Sequence, residues 1–241
     1  MTTTNLSVNI NKIALIRNAR GSNFPNLIAI AQDCERFGAQ GITVHPRPDE
    51  RHVRFDDLQP LKDIVTTEFN IEGYPSSHFI DSVLAIKPHQ VTLVPDEPNA
   101  ITSDHGWDTI KHLQYLTDIV KEFKSNGIRV SLFLDPLEQL VESSAKIGVD
   151  RIEFYTGPYA KNYPANKEKA IEKYRNAAFF AKEIGLGINA GHDLNLDNLR
   201  YLKQEIPHLA EVSIGHALIV DALYLGLENT IQMYLRELDV V

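Results

Sequence analysis

The sequence predicts an α/β protein folded as a single (β/α)8 TIM barrel, spanning residues 1–241 and having a polar interior at the C-terminal mouth. Three observations lead to this fold. The chain has 241 residues, a common length for one such barrel. Short β-rich segments alternate with longer helical patterns eight times, and the strands themselves alternate polar and apolar side chains. A doubly wound open sheet is the structural alternative.

The eight predicted strands alternate in polarity along their length. They cover residues 6–10, 41–45, 68–72, 90–94, 129–134, 151–155, 187–189 and 211–214. In the second strand, for example, Ile42 and Val44 alternate with Thr43 and His45. Because successive side chains point to opposite faces, the apolar set should pack under the helices and the polar set should point into the barrel. Burying so many polar groups is costly unless they bond each other or a ligand, so the pattern indicates a hydrophilic substrate site.

The eight predicted helices follow the strands in order. They cover residues 26–37, 56–65, 76–86, 109–126, 136–147, 168–184, 196–204 and 221–238. Gly38, Gly127, Gly148 and Gly185 each follow a helix and precede a strand, where glycine commonly ends a helix. This strict alternation favours the parallel barrel.

Composition and charge argue against several classes of function. The formal net charge of −8 predicts no binding to nucleic acid or to an acidic membrane. Cys34 is the only cysteine, and we find neither a secretory signal nor an apolar run of membrane-spanning length, so we expect a cytoplasmic protein. The N-terminal quarter nevertheless carries a basic island, which suits either a small anionic ligand or a solvated face: Lys12, Arg17, Arg20, Arg47, Arg51 and Arg54.

The nine histidines divide by their position along the predicted elements. In this fold the active site lies at the C-terminal ends of the strands. Five histidines fall at strand ends or in the following loops and are candidates for the site: His45, His52, His105, His192 and His216. We interpret the other four as structural or surface residues: His78, His89, His112 and His208.

Two strand ends carry candidate binding and proton-transfer groups. After the second strand, Arg47, Arg51 and His52 could grip a phosphate, although the same residues would also suit an ordinary surface turn. Glu72 ends the third strand, where partial burial would raise its pKa towards neutrality. A structural ion pair with an arginine is the alternative for Glu72.

The loops after the last two strands predict a phosphate cradle. The segments "NAGHD" and "SIGHA" place Gly191 and Gly215 where backbone N–H groups can approach an anion closely. His-x-His and His-Glu-x-x-His spacings are absent from the sequence, so we expect no metal. Walker and G-x-G-x-x-G motifs are also absent, so we expect no nucleotide cofactor.

Six segments in the same order resemble the pyridoxine 5'-phosphate synthase family. They are "VNINKIALIRNARG", "GITVHPRPDERH", "FNIEGYP", "VTLVPD", "NAGHDL" and "SIGHAL", and the likeness runs from about Leu6 to about Leu235. The resemblance implies condensation of 1-deoxy-D-xylulose 5-phosphate with 3-amino-2-oxopropyl phosphate, which gives pyridoxine 5'-phosphate, phosphate and water. It further implies two small phosphorylated substrates, no cofactor, no metal and a cytoplasmic homo-octamer.

The resemblance also implies roles for individual residues. It makes His45, Glu72 and His192 the acid-base groups. It assigns the aminoketone phosphate to Asn9, Arg20, Gly215 and His216, and the sugar phosphate to Arg47, His52 and Thr102. This chain has Asn11-Lys12 where many members have Asp-His, and Asp193 where many have Gly, and both departures fall at substrate-binding positions.

Two other functions and three roles for Lys12 stay open on the sequence. The chain could be another phosphosugar enzyme, such as an epimerase or aldolase, or a barrel that binds pyridoxine phosphate without catalysis. Lys12 could bind the sugar phosphate or its carbonyl oxygen electrostatically, form an imine with the ketose, or be a solvated loop residue.

Overall fold

Eight parallel strands close into a barrel in sequence order in the computed structural model, which describes residues 3–96, 103–206 and 208–239. The strands are β1 (Asn5–Asn9), β2 (Gly41–Val44), β3 (Glu68–Gly73), β4 (Gln90–Leu93), β5 (Arg129–Leu134), β6 (Arg151–Tyr155), β7 (Gly187–His192) and β8 (Leu209–Ile214). β8 pairs in parallel with β1, which leaves no open edge. The predicted (β/α)8 fold is therefore confirmed.

The helices pack around the outside of this barrel. They are α1 (Asn11–Asn18), α2 (Leu27–Arg36), α3 (Leu58–Ile64), α4 (Ser77–Ile86), α5 (Leu113–Ser125), α6 (Glu138–Ile147), α7 (Gly157–Asn162), α8 (Lys167–Glu183), α9 (Leu199–Glu205), α10 (His216–Leu225) and α11 (Leu227–Leu238). A short 3-10 turn, Phe55–Asp57, leads into α3.

The apolar core lies between the strands and the helices, as the alternation predicts. Leu6 and Val8 of β1 are fully buried, as are Ile42 and Val44 of β2. They join one continuous cluster with the inner faces of the helices, such as Phe123 of α5. Burial of apolar side chains stabilises by roughly 1.5–3 kcal/mol each, so this shell carries most of the folding free energy.

The barrel interior is polar and bonded to itself. The Ser7 and Thr43 hydroxyls lie 2.7 Å apart, and the Asn70 amide donates to Thr43 Oγ1 at 3.4 Å. Thr92 Oγ1 donates to Asn70 Oδ1 at 3.2 Å and to Glu153 Oε2 at 3.5 Å. Side chains from five strands, β1 to β4 and β6, thus form a hydrogen-bonded chain that satisfies groups that would be costly to bury alone. The predicted polar interior is confirmed.

Three features of the helices differ from the sequence prediction. The structure has a helix directly after β1, which was not predicted because its N-cap is Ile10 and its first turn has no acidic residue. The short helix α7 was also not predicted. The predicted last helix, residues 221–238, is two helices, α10 and α11, separated by Gly226 at φ 79° and ψ 148°.

None of the helices in the described ranges combines the length and apolar character needed to cross a bilayer.

Candidate active site

A cavity of about 520 Å³ opens at the C-terminal ends of the strands. It gathers eleven of the thirteen site residues expected from the sequence: Asn9, Asn11, Lys12, His45, Arg47, His52, Glu72, His192, Asp193, Gly215 and His216. Arg20 lies exposed in the turn after α1 and is not among the described residues that line the cavity. Thr102 lies outside the described residues.

The carboxyl group of Glu72 lies inside this mouth, at the end of β3. Its side chain is only 12% exposed. Asn9 Nδ2 donates to Glu72 Oε2 at 3.3 Å, and Ser213 Oγ donates to Glu72 Oε1 at 3.4 Å. Burial raises the pKa of Glu72 to about 7, against the opposing effect of nearby His192. A carboxyl with this pKa can both accept and donate protons near neutral pH.

His45 lies beside Glu72 and is neutral at physiological pH. Its Nδ1 is 4.0 Å from Glu72 Oε2, and its backbone N–H donates to Asn11 Oδ1 at 2.9 Å. Burial, together with the positive charge of Arg47, holds the pKa of His45 well below its usual range. His45 therefore meets Glu72 as a neutral imidazole that can act as a base.

His192 approaches from the opposite side, at the end of β7. Its backbone adopts φ 90°, which is unusual for a residue with a side chain. The Tyr155 ring lies edge-on to the imidazole, with centroids 5.3 Å apart. Nδ1 lies 2.8 Å from Asp193 Oδ2. The site thus has two histidines with different surroundings on either side of one carboxyl.

One wall of the cavity is cationic. Arg47 forms a buried ion pair with Asp96, which follows β4. Ser103 Oγ donates to the same Asp96 oxygen at 2.7 Å, so one carboxylate contacts both Arg47 and Ser103. Arg51 lines the cavity beside Arg47. This wall suits a phosphate group because arginine can donate two parallel hydrogen bonds.

His52 belongs to the same wall and donates through Nε2. Its Nδ1 accepts the Val53 backbone N–H at 3.0 Å, so the remaining proton of the neutral ring is on Nε2. Burial, with the charges of Arg47, Arg51 and Lys12, lowers the pKa of His52 to about 4. His52 is therefore a neutral hydrogen-bond donor over the working pH range.

The first turn of α1 contributes to the cavity, whereas its last turn makes structural contacts. Lys12, in the first turn, lines the cavity. Arg17 makes two hydrogen bonds to Asp57, at 2.6 and 2.8 Å, and the Asn18 amide donates to the His52 carbonyl at 2.7 Å. Arg17, one member of the predicted basic island, is thus a buried structural residue that holds the loop of His52.

The last two strand ends form another wall of the cavity. Gly215 precedes α10, and His216 begins that helix at the cavity. The first N–H groups of a helix have no partner within the helix and favour an anion. Gly191 leaves space for Glu153, because a Cβ at residue 191 would lie 2.6 Å from Glu153 Oε1.

Asp96 and two lining residues, Ser103 and Ser213, were not predicted as part of the site. Asp96 and Ser103 are too far from Arg47 in sequence for their contact to be expected, although Asp96 lies shortly after β4. Ser213 points inward by the alternation rule, which could have identified it. Among the histidines, His105 is 60% exposed beside Asp104 and does not line the cavity, unlike the other four candidates.

Within residues 3–96, 103–206 and 208–239, no group of three or more His, Cys, Asp or Glu side chains is arranged to hold a metal ion.

Sequence comparison matches the chain to a known family. Residues 6–240 match the family described as "Pyridoxal phosphate biosynthesis protein PdxJ". The chain belongs to this family. A pyridoxine 5'-phosphate synthase of Cytophaga hutchinsonii is 67% identical over 98% of this chain and 99% of its own length. The enzyme of the same name from Flavobacterium johnsoniae is 60% identical over 98% of this chain and 99% of its own length. The chain is therefore an enzyme of vitamin B6 biosynthesis, as its resemblance implies.

Comparison with solved structures adds information on the fold alone. A 3-keto-L-gulonate-6-phosphate decarboxylase from Vibrio cholerae superposes with a TM-score of 0.66, covering 99% of this chain and 98% of its own, at 8% identity. A phosphoribosyl anthranilate isomerase superposes with a TM-score of 0.60, covering 98% of both chains, at 11% identity. Both agree with the barrel architecture.

Proposed function

We propose that this cavity condenses 1-deoxy-D-xylulose 5-phosphate with 3-amino-2-oxopropyl phosphate to give pyridoxine 5'-phosphate, phosphate and water. The observation that supports the proposal is the position of Glu72, a carboxyl with a pKa of about 7 that lines the same cavity as His45 and His192. Ring formation needs several proton transfers in one place, and this group can serve as acid and base in turn.

Two anionic substrates need two phosphate sites, and the cavity has two suitable walls. The wall of Arg47, Arg51 and His52 would hold the sugar phosphate, since it offers cationic and neutral donors. The wall formed by Gly215, His216 and the start of α10 would hold the aminoketone phosphate, since helix N–H groups favour anions. The reacting carbons would then lie between the walls, close to Glu72.

The first covalent step illustrates how the residues would act. The amine nitrogen of the aminoketone adds to the carbonyl carbon of the sugar, and the resulting hydroxyl leaves as water when the imine forms. Glu72 can take the proton that the nitrogen releases and return it to the leaving hydroxyl, so the step is balanced without another reagent. Enolisation, phosphate elimination and aldol closure then use the same carboxyl with His45 and His192.

Assembly and location are further parts of the proposal. We expect a homo-octamer in the cytoplasm, with no nucleic acid or membrane partner. Support for assembly comes from apolar side chains at the end of α10, where Leu223 is 73% and Tyr224 is 86% exposed. Light scattering should give a mass eight times that of the 27.2 kDa chain. A monomeric mass would contradict this part without affecting the reaction.

Incubation of the purified protein with both substrates tests the proposed reaction. Pyridoxine 5'-phosphate and inorganic phosphate should form in equal amounts, detected by mass spectrometry and a phosphate assay. Controls omit each substrate in turn. Calorimetric titration with each substrate alone separates this function from that of a phosphosugar enzyme, which would not need the second phosphate site. Absence of product from folded protein that binds both substrates would refute the proposal.

A further inference from the structure

The contact between His192 and Asp193 has no role in the reaction as described above. Asp193 Oδ2 lies 2.8 Å from His192 Nδ1, although the two residues are neighbours in sequence. The left-handed backbone of His192, at φ 90°, ends the extended course of β7 at the same point. Asn198 Nδ2 donates to the Asp193 carbonyl at 3.3 Å, and Asn198 is itself buried. The backbone on both sides of the contact is therefore fixed.

Groups from several elements face the imidazole of His192. Glu72 of β3 lies across the cavity and interacts with it electrostatically. The Tyr155 ring of β6 packs against one edge, and Asp104 interacts with it from the loop before α5. His216 of α10 is close enough to influence Asp193. Among these groups, Asp193 is the one whose hydrogen bond to Nδ1 the structure defines.

A carboxylate at this position is poorly suited to hold a substrate phosphate. The hydrogen bond with His192 holds the pKa of Asp193 below its usual range, so Asp193 is ionised at neutral pH. An ionised carboxylate only accepts hydrogen bonds, and a phosphate oxygen also accepts, so direct contact would be repulsive. The imidazole Nδ1–H, in contrast, is a donor that matches the carboxylate.

We propose that Asp193 is a positioning residue for His192, and this inference rests on the proposed function. By accepting a hydrogen bond from Nδ1–H, Asp193 fixes the tautomer in which Nε2 is the nitrogen that exchanges protons with the substrate. Its negative charge stabilises the imidazolium that forms when Nε2 takes up a proton. Asp193 thereby acts on the chemical step through His192 and touches no reacting atom.

The variant Asp193→Asn tests this role by removing the charge while keeping the shape. We expect kcat to fall by about 10- to 100-fold, the size of loss typical when the hydrogen-bond partner that orients a metal-ligating histidine is removed. The pH–kcat profile should change relative to wild type, because the negative charge beside the His192 imidazole is lost. The KM values for both substrates should change little. Asp193→Glu, which keeps the charge, should recover part of kcat.

Asp197→Asn is the matched control, since Asp197 is an exposed carboxylate in the same loop. It should leave kcat and the pH profile unchanged. A wild-type kcat and an unmoved profile in Asp193→Asn would overturn the proposal. A raised KM for the aminoketone phosphate with unchanged kcat would also overturn it, because that result would make Asp193 a direct substrate ligand.

A spectroscopic measurement separates this inference from the proposed function. In protein labelled with nitrogen-15 at histidine, the Nδ1 proton of His192 should be strongly deshielded, and His192→Gln assigns the signal. The signal should shift in Asp193→Asn and persist in Asp197→Asn. An unchanged signal in Asp193→Asn would refute the hydrogen bond. This readout needs no turnover, so it is decisive even if no pyridoxine 5'-phosphate is formed.

Discussion

At the scale of single residues, burial determines the protonation of Glu72. The carboxyl has two uncharged donors, Asn9 and Ser213, and the neutral His45 at 4.0 Å. These contacts do not offset the loss of hydration, so the protonated form is favoured more than in water. A group adapted to transfer protons in this way lowers the stability of the folded chain whenever it is ionised.

The variant Glu72→Gln should therefore stabilise the protein in a pH-dependent way. The pKa of Glu72 rises from 4.5 to about 7 on folding, so between these values the folded chain binds more protons than the unfolded chain. Stability from this group is present below pH 4.5 and is lost as pH rises through 7. Relative to wild type, Glu72→Gln should gain up to about 3 kcal/mol in free energy of unfolding between pH 5 and pH 8.

Urea denaturation at the two pH values measures this difference. Glu142→Gln, at an exposed position in α6, is the control. An equal stability difference at pH 5 and pH 8 for Glu72→Gln would argue against the raised pKa. The same variant should have greatly reduced turnover, since a general acid-base group typically contributes about 10²–10⁴-fold in rate.

The charge of Lys12 is the basis of its expected role in the cavity. It lines the cavity, and its charge contributes to the low pKa of His52 on the wall proposed for the sugar phosphate. Lys12→Met should raise the KM for the sugar phosphate roughly tenfold, with a smaller effect on the aminoketone, because one charged hydrogen bond is lost. Steady-state kinetics measures both KM values. Lys146→Met, at an exposed position in α6, is the control.

Two results would contradict the electrostatic role of Lys12. A borohydride-trapped adduct on Lys12, found by mass spectrometry, would indicate an imine with the ketose instead. Unchanged KM values without an adduct would indicate a solvated side chain.

The sequence predicts individual site residues well where a strand end locates them. His45, Glu72 and His192 follow from the rule that strands of a barrel end at its active face, and the structure brings all three to one cavity. The raised pKa of Glu72 was predicted from its place at a strand end. The low pKa of His45 was not predicted, because it depends on burial and on the charge of Arg47.

At the scale of elements, the strands were easier to predict than the helices. All eight strands were predicted as short β-rich segments, and alternating polarity in several of them indicated one face under the helices and one inside the barrel. Helix α1 carries no start signal in the sequence, and its outer residues Leu15 and Ile16 are exposed, so its pattern is indistinct. A periodic apolar pattern also continues through Gly226, which concealed the division between α10 and α11.

Replacement of Gly226 tests whether this division depends on glycine. Its φ of 79° and ψ of 148° lie in a region that is essentially restricted to glycine. Gly226→Ala should destabilise the fold by about 1–3 kcal/mol, which thermal unfolding would register as a lower Tm. A Cβ there would meet nothing within 4 Å, so the backbone conformation alone accounts for the effect.

Gly148→Ala is the matched control for Gly226→Ala. Gly148 also has open space around its Cα, but its φ of 90° and ψ of 26° lie in the left-handed helical region that other residues can enter. Gly148→Ala should lower the free energy of unfolding by less than Gly226→Ala does. An equal or larger loss at Gly148 would show that the conformation of Gly226 is not the limiting factor.

At the scale of the whole molecule, an apolar shell surrounds a polar lumen. Thr43 is central to the lumen, because its hydroxyl contacts both Ser7 and Asn70 and is fully buried. Thr43→Val should cost about 1–3 kcal/mol of stability, since two buried polar groups lose a partner. Thr66→Val at an exposed position should stay within about 0.5 kcal/mol. Equal stabilities of these two variants in urea would contradict the importance of the network.

The self-bonded lumen has a consequence for directed evolution of this barrel. Thr43 and Asn70 each hydrogen-bond to side chains from neighbouring strands, so a single replacement at either position removes a partner that the replacement itself does not restore. Libraries that vary one lumen position at a time would discard many workable combinations. Libraries that vary contacting positions on adjacent strands together, such as Thr43 with Asn70, can find replacements in which both members change compatibly.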